Sequence, residues 1–237
     1  VIEKAGSGSQ RQLKCQTDYT LPTYLMAFAA GQLVSHTQHH GNIPVSVVHR
    51  AGLPGDHQGM LSSIVKMMEH FEKLLVPYPF EKYSLVLVPD FSSGGEENVG
   101  ITFQAETRST RSRQASDLGL TAHELGHQWF GDLVTVKHWD DLWIKEGMAT
   151  LLAEEASRSF TDVFGTNRLM GSAFEPVSGA AVMDPTLAPD DKYTSGPYDR
   201  AAWVFTQLRG ILGEKVYWGV MRQALEKFAF SAIGTEE

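Results

Sequence analysis

The sequence predicts an α+β fold, with a strand-rich first half carrying a mixed sheet edge and a mostly helical second half. Three observations carry this. Tyr83 to Val88 (YSLVLV) is a short apolar, β-branched run, the pattern of a strand inside a sheet. Gly55 to Val76 places Met60, Ile64, Met67, Met68, Phe71, Leu74 and Leu75 largely on one helical face. From Leu118 onward the apolar residues recur at helical spacing through two segments separated by Gly131-Asp132.

Taken in order, Val1 to Gln12 contains Gly-Ser-Gly-Ser and scattered charge, which predicts a loop or ragged terminus. Tyr24 to Phe28 and Val45 to Val48 read as strands. Between them His36, His39 and His40 invite a metal reading. The turn-like Gly41-Asn42 favours a solvated hairpin instead, because no carboxylate or cysteine completes a ligand set there. Pro77 and Pro79 end the first helix, whose methionines are core filler. After Tyr83–Val88 comes a glycine-rich run, Gly94-Gly95-Glu96-Glu97-Asn98, and then the strand-like Ile101-Thr102-Phe103. On spacing alone this is a turn between strands with two solvated acids. Glu106 to Ser116, with three arginines, reads as an exposed loop. Ser116-Asp117 then offers a cap for a helix over the following residues. Leu133 to Trp139 reads as a connection, and Asp140-Asp141 starts a second helix running to about Ser159. Prolines and glycine over Phe160 to Tyr193 predict irregular structure. Two further helices follow, Tyr198 to Leu212 stopped by Gly213, and Glu214 to Phe228.

The 237 residues are ample for one large or two small domains. A hydrophobic content of 42% is that of a soluble globular protein, and no apolar run is long enough to span a membrane. The net charge of −8 argues against general nucleic-acid affinity and fits a site that handles cations. With Cys15 alone, an internal disulfide is excluded, while compartment and oligomeric state stay open. The chain begins at Val1 with no Met and no recognisable signal peptide, the expectation for a trimmed piece.

The chemistry concentrates in His123-Glu124-Leu125-Gly126-His127, with Glu146 following after eighteen intervening residues. Residues four apart share one helix face, so His123 and His127 aim two imidazole nitrogens at one point. Glu124 sits a little further round the same helix. Two histidines and a carboxylate, with a fourth position left open for water, form the ligand set of a catalytic zinc. A structural zinc is usually closed by four protein ligands. Water on such a metal loses a proton far more readily than bulk water, so a neighbouring Glu can act as its base. Glu146 falls in the second helix, which must pack on the first to reach the metal. An accidental pair of histidines on an exposed helix is the competing reading. The helical context, the downstream Glu and the flanking apolar residues favour one zinc ion.

The run HELGHQWFGDLVTVKHWDDLWIKEGMAT resembles the zinc segment of the gluzincin aminopeptidases, the family of aminopeptidase N and leukotriene hydrolase. The resemblance implies that His123, His127 and Glu146 bind zinc and that Glu124 is the general base. Lys145 departs from it, standing where the family commonly has Asn. GGEEN resembles the family's G-x-M-E-N exopeptidase motif, which implies that Gly94, Gly95, Glu97 and Asn98 line the substrate groove. By the same resemblance Glu97 binds the substrate's free α-ammonium. Glu96 replaces the family's Met, and strand alternation would turn it away from Glu97. The segment from Tyr198 resembles the Y-x-K-G-A-x-V helix, which implies that Tyr198 donates a hydrogen bond to the developing oxyanion. Tyr193 is a nearby competitor for that role.

The resemblance covers roughly Tyr19 onward and implies a thermolysin-like catalytic domain over residues 51–237. LPTYLMAFAAGQL resembles the family's passage out of its N-terminal β-domain, so residues 1–50 would join a missing β-domain. FAFSAIGTEE resembles the junction to a C-terminal helical domain, also expected to be missing. The implied function is zinc-dependent removal of N-terminal residues from peptides that have a free amino terminus. A zinc endopeptidase is the reading if Glu97 anchors no amine. A non-enzymatic binding module ranks lower, having no need to keep the ligands, base and tyrosine together.

Overall fold

The computed structural model describes residues 3–5, 12–106, 115–159 and 181–237. The arginine-rich run and much of the Pro- and Gly-containing stretch before Tyr193 lie outside the described residues. Where a ragged terminus is expected, β1 (Glu3–Ala5) and β2 (Gln12–Lys14) pair antiparallel, and the Gly-Ser-Gly-Ser run falls between them.

A five-stranded sheet underlies the site. It comprises β3 (Leu33–His40), β4 (Ile43–Arg50), β5 (Tyr83–Val88), β6 (Gly95–Asn98) and β7 (Ile101–Ala105), in the order β3-β4-β5-β7-β6. β4, β5 and β7 run parallel, and the two edge strands β3 and β6 are antiparallel to their neighbours. This is the mixed sheet of an α+β fold. The predicted hairpin is there, turned by Gly41, whose φ of 57° suits the residue without a Cβ. Because β4 pairs with β5, the hairpin is continuous with the sheet of residues 83–105.

α1 (His57–Leu74) covers one face of that sheet. The Asp56 carboxylate caps it by accepting from the Gly59 N–H at 2.9 Å. Its buried stripe (Leu61, Ile64, Met67, Met68 and Phe71, each 0% exposed) packs with Val45, Val47, Tyr83, Leu85 and Leu87 in one core. Burying several large apolar side chains, at roughly 1.5–3 kcal/mol each, holds the sheet beneath the site.

α2 is described over Ala115–Gly126, so Ser116 and Asp117 lie within it rather than ahead of it as caps. α3 (Leu142–Ser159) packs alongside α2, after a 3₁₀ turn over Trp139–Asp141 that carries the two predicted starting acids. At Gly126 the two helices are in close contact: a Cβ there would sit 3.2 Å from Leu152 Cδ1. Trp129, fully buried, locks the end of α2 to α1 by donating from Nε1 to the Val76 carbonyl at 2.8 Å. It also meets Phe71 edge-on. α4 (Ala201–Leu212) and α5 (Glu214–Lys227) complete the helical half. α4 crosses α3 at Gly147, where any Cβ would lie 2.6 Å from that of Ala201, so only glycine permits the approach.

Two further expectations fail. Tyr24 to Phe28 is not a strand. Thr23–Leu25 forms a 3₁₀ turn, and Met26 and Phe28 are exposed. The turn is captured by β6 instead, since Asn98 Nδ2 donates to the Tyr24 carbonyl and Val99 N–H to the Leu25 carbonyl. Leu133 to Trp139 is more than a connection, because Val134–Val136 (β8) pairs in parallel with Ser231–Ile233 (β9). That partner lies too far along the chain for any local pattern to reveal it. No helix among the described residues is long and apolar enough to cross a membrane.

Candidate active site

His123 lies in the last turn of α2, and His127 stands just past its end, its N–H donating to the His123 carbonyl at 3.1 Å. α3 brings Glu146 to the same point. His123 Nε2 and His127 Nε2 are 3.0 Å apart, and Glu146 Oε2 is 3.2 Å from each. The His127 ring is oriented by Nδ1, which donates to the Phe130 carbonyl at 3.0 Å and leaves the Nε2 lone pair facing the other two atoms. Three electron pairs converging in a buried site need a cation or a proton among them. Ligands about 2.0 Å from a tetrahedral zinc lie about 3.3 Å apart. The donor set therefore fits that ion in chemistry and in size.

Glu124 is 4% exposed and stands in a second convergent group with Glu97 and His127. Its carboxyl lies directly against the backbone of β6, since a Cβ built on Gly95 would overlap it. β6 thus runs past Glu124 at the edge of the sheet. Gly94, at φ 87°, begins the approach, and its carbonyl accepts from the Ala105 N–H at 2.9 Å. Glu96 is exposed and Glu97 turns inward, as strand alternation predicts. Asn98 is buried, its amide committed to the Tyr24 carbonyl.

Glu97 has a partner in the protein. The Lys145 ammonium forms a short ion pair with Glu97 Oε1 and lies 3.0 Å from Glu146 Oε1. Lys145 is 3% exposed. In the sequence Lys145 stands only as a departure beside Glu146, and its reach from α3 to β6 appears only in three dimensions. Tyr198 sits in a π turn (Gly196–Arg200) leading into α4, and its ring stacks on His123 with centroids 5.9 Å apart and planes 18° apart. Tyr193 is more than half exposed.

The electrostatics follow from burial and crowding. Burial pushes the Glu124 carboxyl up to about 8, with Glu97 and Glu146 adding to the rise against His127. Burial pulls His127 down, yet Glu146 and Glu97 outweigh it and hold the imidazolium at about 9. Burial also works against the charged forms of Glu97, Glu146 and Lys145. Their mutual attraction prevails, keeping both carboxylates ionised and the ammonium protonated. Burial, then Glu146, holds the proton on the Tyr198 phenol. A divalent cation at the three ligands would draw Glu124 and His127 down, as a positive charge favours carboxylate and neutral imidazole.

Behind the site, Gln128 uses its whole amide. Nε2 donates to Asp132 Oδ2 at 2.7 Å and to the Asn98 carbonyl at 3.2 Å. Oε1 accepts from the Gly100 N–H at 2.9 Å and from the Tyr78 hydroxyl at 3.1 Å. This amide joins the end of α2 to the turn between β6 and β7, fixing Glu124 relative to the sheet edge. A polar residue directly after the second motif histidine, in an otherwise apolar run, is the only trace of it in the sequence.

Residues 60–237 match the peptidase family M1 domain. Human endoplasmic reticulum aminopeptidase 1 is 30% identical over 237 aligned positions, spanning 92% of this chain and 25% of that protein. A leucyl aminopeptidase of Saccharolobus solfataricus is 31% identical over 234, spanning 89% and 29%. Among solved structures, Legionella pneumophila aminopeptidase A in complex with aspartic acid superposes with a TM-score of 0.82 at 21% identity, over 92% of this chain and 27% of that one. An M1 zinc metallopeptidase from Deinococcus radiodurans gives 0.72 at 23% identity, over 87% and 46%. The chain spans only 25% and 29% of the length of the two curated relatives.

Proposed function

The chain belongs to peptidase family M1, whose domain it matches over residues 60–237, and from that premise we propose that it is the zinc-binding catalytic part of an aminopeptidase. The observation that carries the reading is the convergence of His123 Nε2, His127 Nε2 and Glu146 Oε2 within 3.2 Å, with the Glu124 carboxyl beside them on the β6 backbone. The catalytic unit takes in residues 51–237, with residues 1–50 leading into it from a β-domain. Within residues 1–50, hairpin β3–β4 is hydrogen-bonded to β5 and so extends the sheet of the catalytic unit.

His123, His127 and Glu146 would hold one zinc ion, which when bound supplies Lewis acidity toward the scissile carbonyl and the attacking water. A peptide lies extended along the outer edge of β6, where main-chain groups can pair with it. Glu124 takes the proton of the attacking water and returns it to the leaving amine. The Tyr198 phenol donates to the carbonyl oxygen as negative charge grows there. Glu97 holds the α-ammonium of the first residue at one fixed distance from the reacting bond, so one residue is removed at a time.

Lys145 sets a condition on that last step. It engages Glu97 Oε1, leaving Oε2 for a second cation, and the two ammonium groups then repel across one carboxylate. Lys145→Asn removes this competitor and also frees Glu146 Oε1. At saturating zinc the variant is expected to have a KM for free-amine substrates about tenfold lower, equivalent to about 1.4 kcal/mol. Competition titration with a chelator should show tighter zinc binding. An unchanged or raised KM would remove Lys145 as a competitor.

The reading is tested with aminoacyl fluorogenic amides bearing free or acetylated amino termini, with and without chelator. Chelator-sensitive cleavage of the free set alone is expected. Equal cleavage of both sets would make the protein an endopeptidase and strip Glu97 of its role.

A further inference from the structure

The predicted hairpin of three histidines does not act as one group. His39 is exposed and His40 pairs with Glu72 at 2.6 Å. His36 turns the other way. In the β3–β4 register it faces Val47, so it shares the helix-covered face with His49 two residues further along β4. His57, the first residue of α1, closes on the same spot. The three side chains offer one nitrogen each within 4.8 Å of one another. Their rings lie near parallel, His49 against His57 at 3.7 Å between centroids and His36 against His49 at 5.2 Å.

Two features separate this group from ordinary packing. His49 donates from Nδ1 to the Arg50 carbonyl at 2.8 Å, which leaves Nε2 as a lone pair facing His36 Nε2 at 3.1 Å. This is how a backbone carbonyl orients a metal-binding imidazole. His57 Nε2, on a side chain 7% exposed, has no hydrogen-bond partner. A buried, unpaired ring nitrogen beside two others is unexpected in a native fold unless something meets it. Burial, then His49 and His36, also lowers the affinity of His57 for a proton, which favours the neutral, metal-binding form.

We propose that His36, His49 and His57 form a second metal site, taking a divalent transition ion that prefers imidazole, such as zinc, cobalt or nickel. Three neutral imidazoles with one open position suit that class and not calcium or magnesium, which require oxygen ligands. Because an imidazole lone pair lies in the ring plane, binding an ion requires His57 to turn out of its stack on His49 so that the nitrogens point to one place. The bound ion cross-links edge strand β3, strand β4 and the start of α1. It sits at the β3 edge, roughly 19 Å across four strand spacings from the β6 edge, and so takes no part in peptide hydrolysis.

The test counts metal. The protein is equilibrated with zinc alone, desalted and analysed for metal per chain, and the measurement is repeated on His123→Ala/His127→Ala. Two equivalents are expected in the first and one in the second. Adding His57→Ala or His36→Asn to either should remove one equivalent, and in the otherwise unaltered protein should leave amide hydrolysis intact. His36, half-buried on an edge strand, serves as the check if His57→Ala folds poorly. A cobalt titration should give a d–d spectrum in His123→Ala/His127→Ala that disappears with His36→Asn. One equivalent in the unaltered protein, or two that survive both His36→Asn and His57→Ala, would overturn the proposal.

Discussion

Replacing Glu124 by Gln is expected to lower kcat by about 10³ to 10⁴ with zinc content retained. The amide keeps the shape of the side chain and its packing against Gly95, but it cannot accept a proton. His123, His127 and Glu146 are unchanged, so the metal stays. The loss should fall on kcat, because the role proposed for Glu124 is on the reacting water and not on the α-ammonium. The measurement is kcat and KM for a free-amine amide beside metal per chain in the same preparation. Activity within tenfold of the unaltered protein would refute the assignment of Glu124 as base.

Tyr198→Phe is expected to lower kcat by about 10² to 10³, the usual effect of losing one donor to a developing oxyanion. Phe keeps the ring that stacks on His123, so zinc content and thermal stability should hold. KM should move little, since the hydrogen bond strengthens only as charge builds. Tyr193→Phe serves as the comparison. That residue is more than half exposed and should change kcat less than twofold. A reversed ranking would transfer the role to Tyr193.

Some of this was open to reading residue by residue because the determinants are local. Four-residue spacing on a helix fixes which way His123 and His127 point before any tertiary contact forms. Capping and periodicity mark α1 through Asp56 and its apolar stripe. Alternation turns Glu96 and Glu97 to opposite sides. The strand misread at Tyr24 to Phe28 shows the limit of such signals. An apolar run becomes a strand only if a neighbour is free to pair, and here β6 uses its groups to hold a turn.

The sequence by itself determined the α+β class, the helix whose end brings His123, Glu124 and His127 together, and the helix that carries Glu146. The tertiary structure alone decided that Lys145 crosses from α3 to Glu97, that Gln128 ties the end of α2 to the sheet edge, and that His36 meets His49 and His57. Each of these joins residues on different elements. Such distances are set by how helices and strands pack, and spacing along one chain segment carries no record of them.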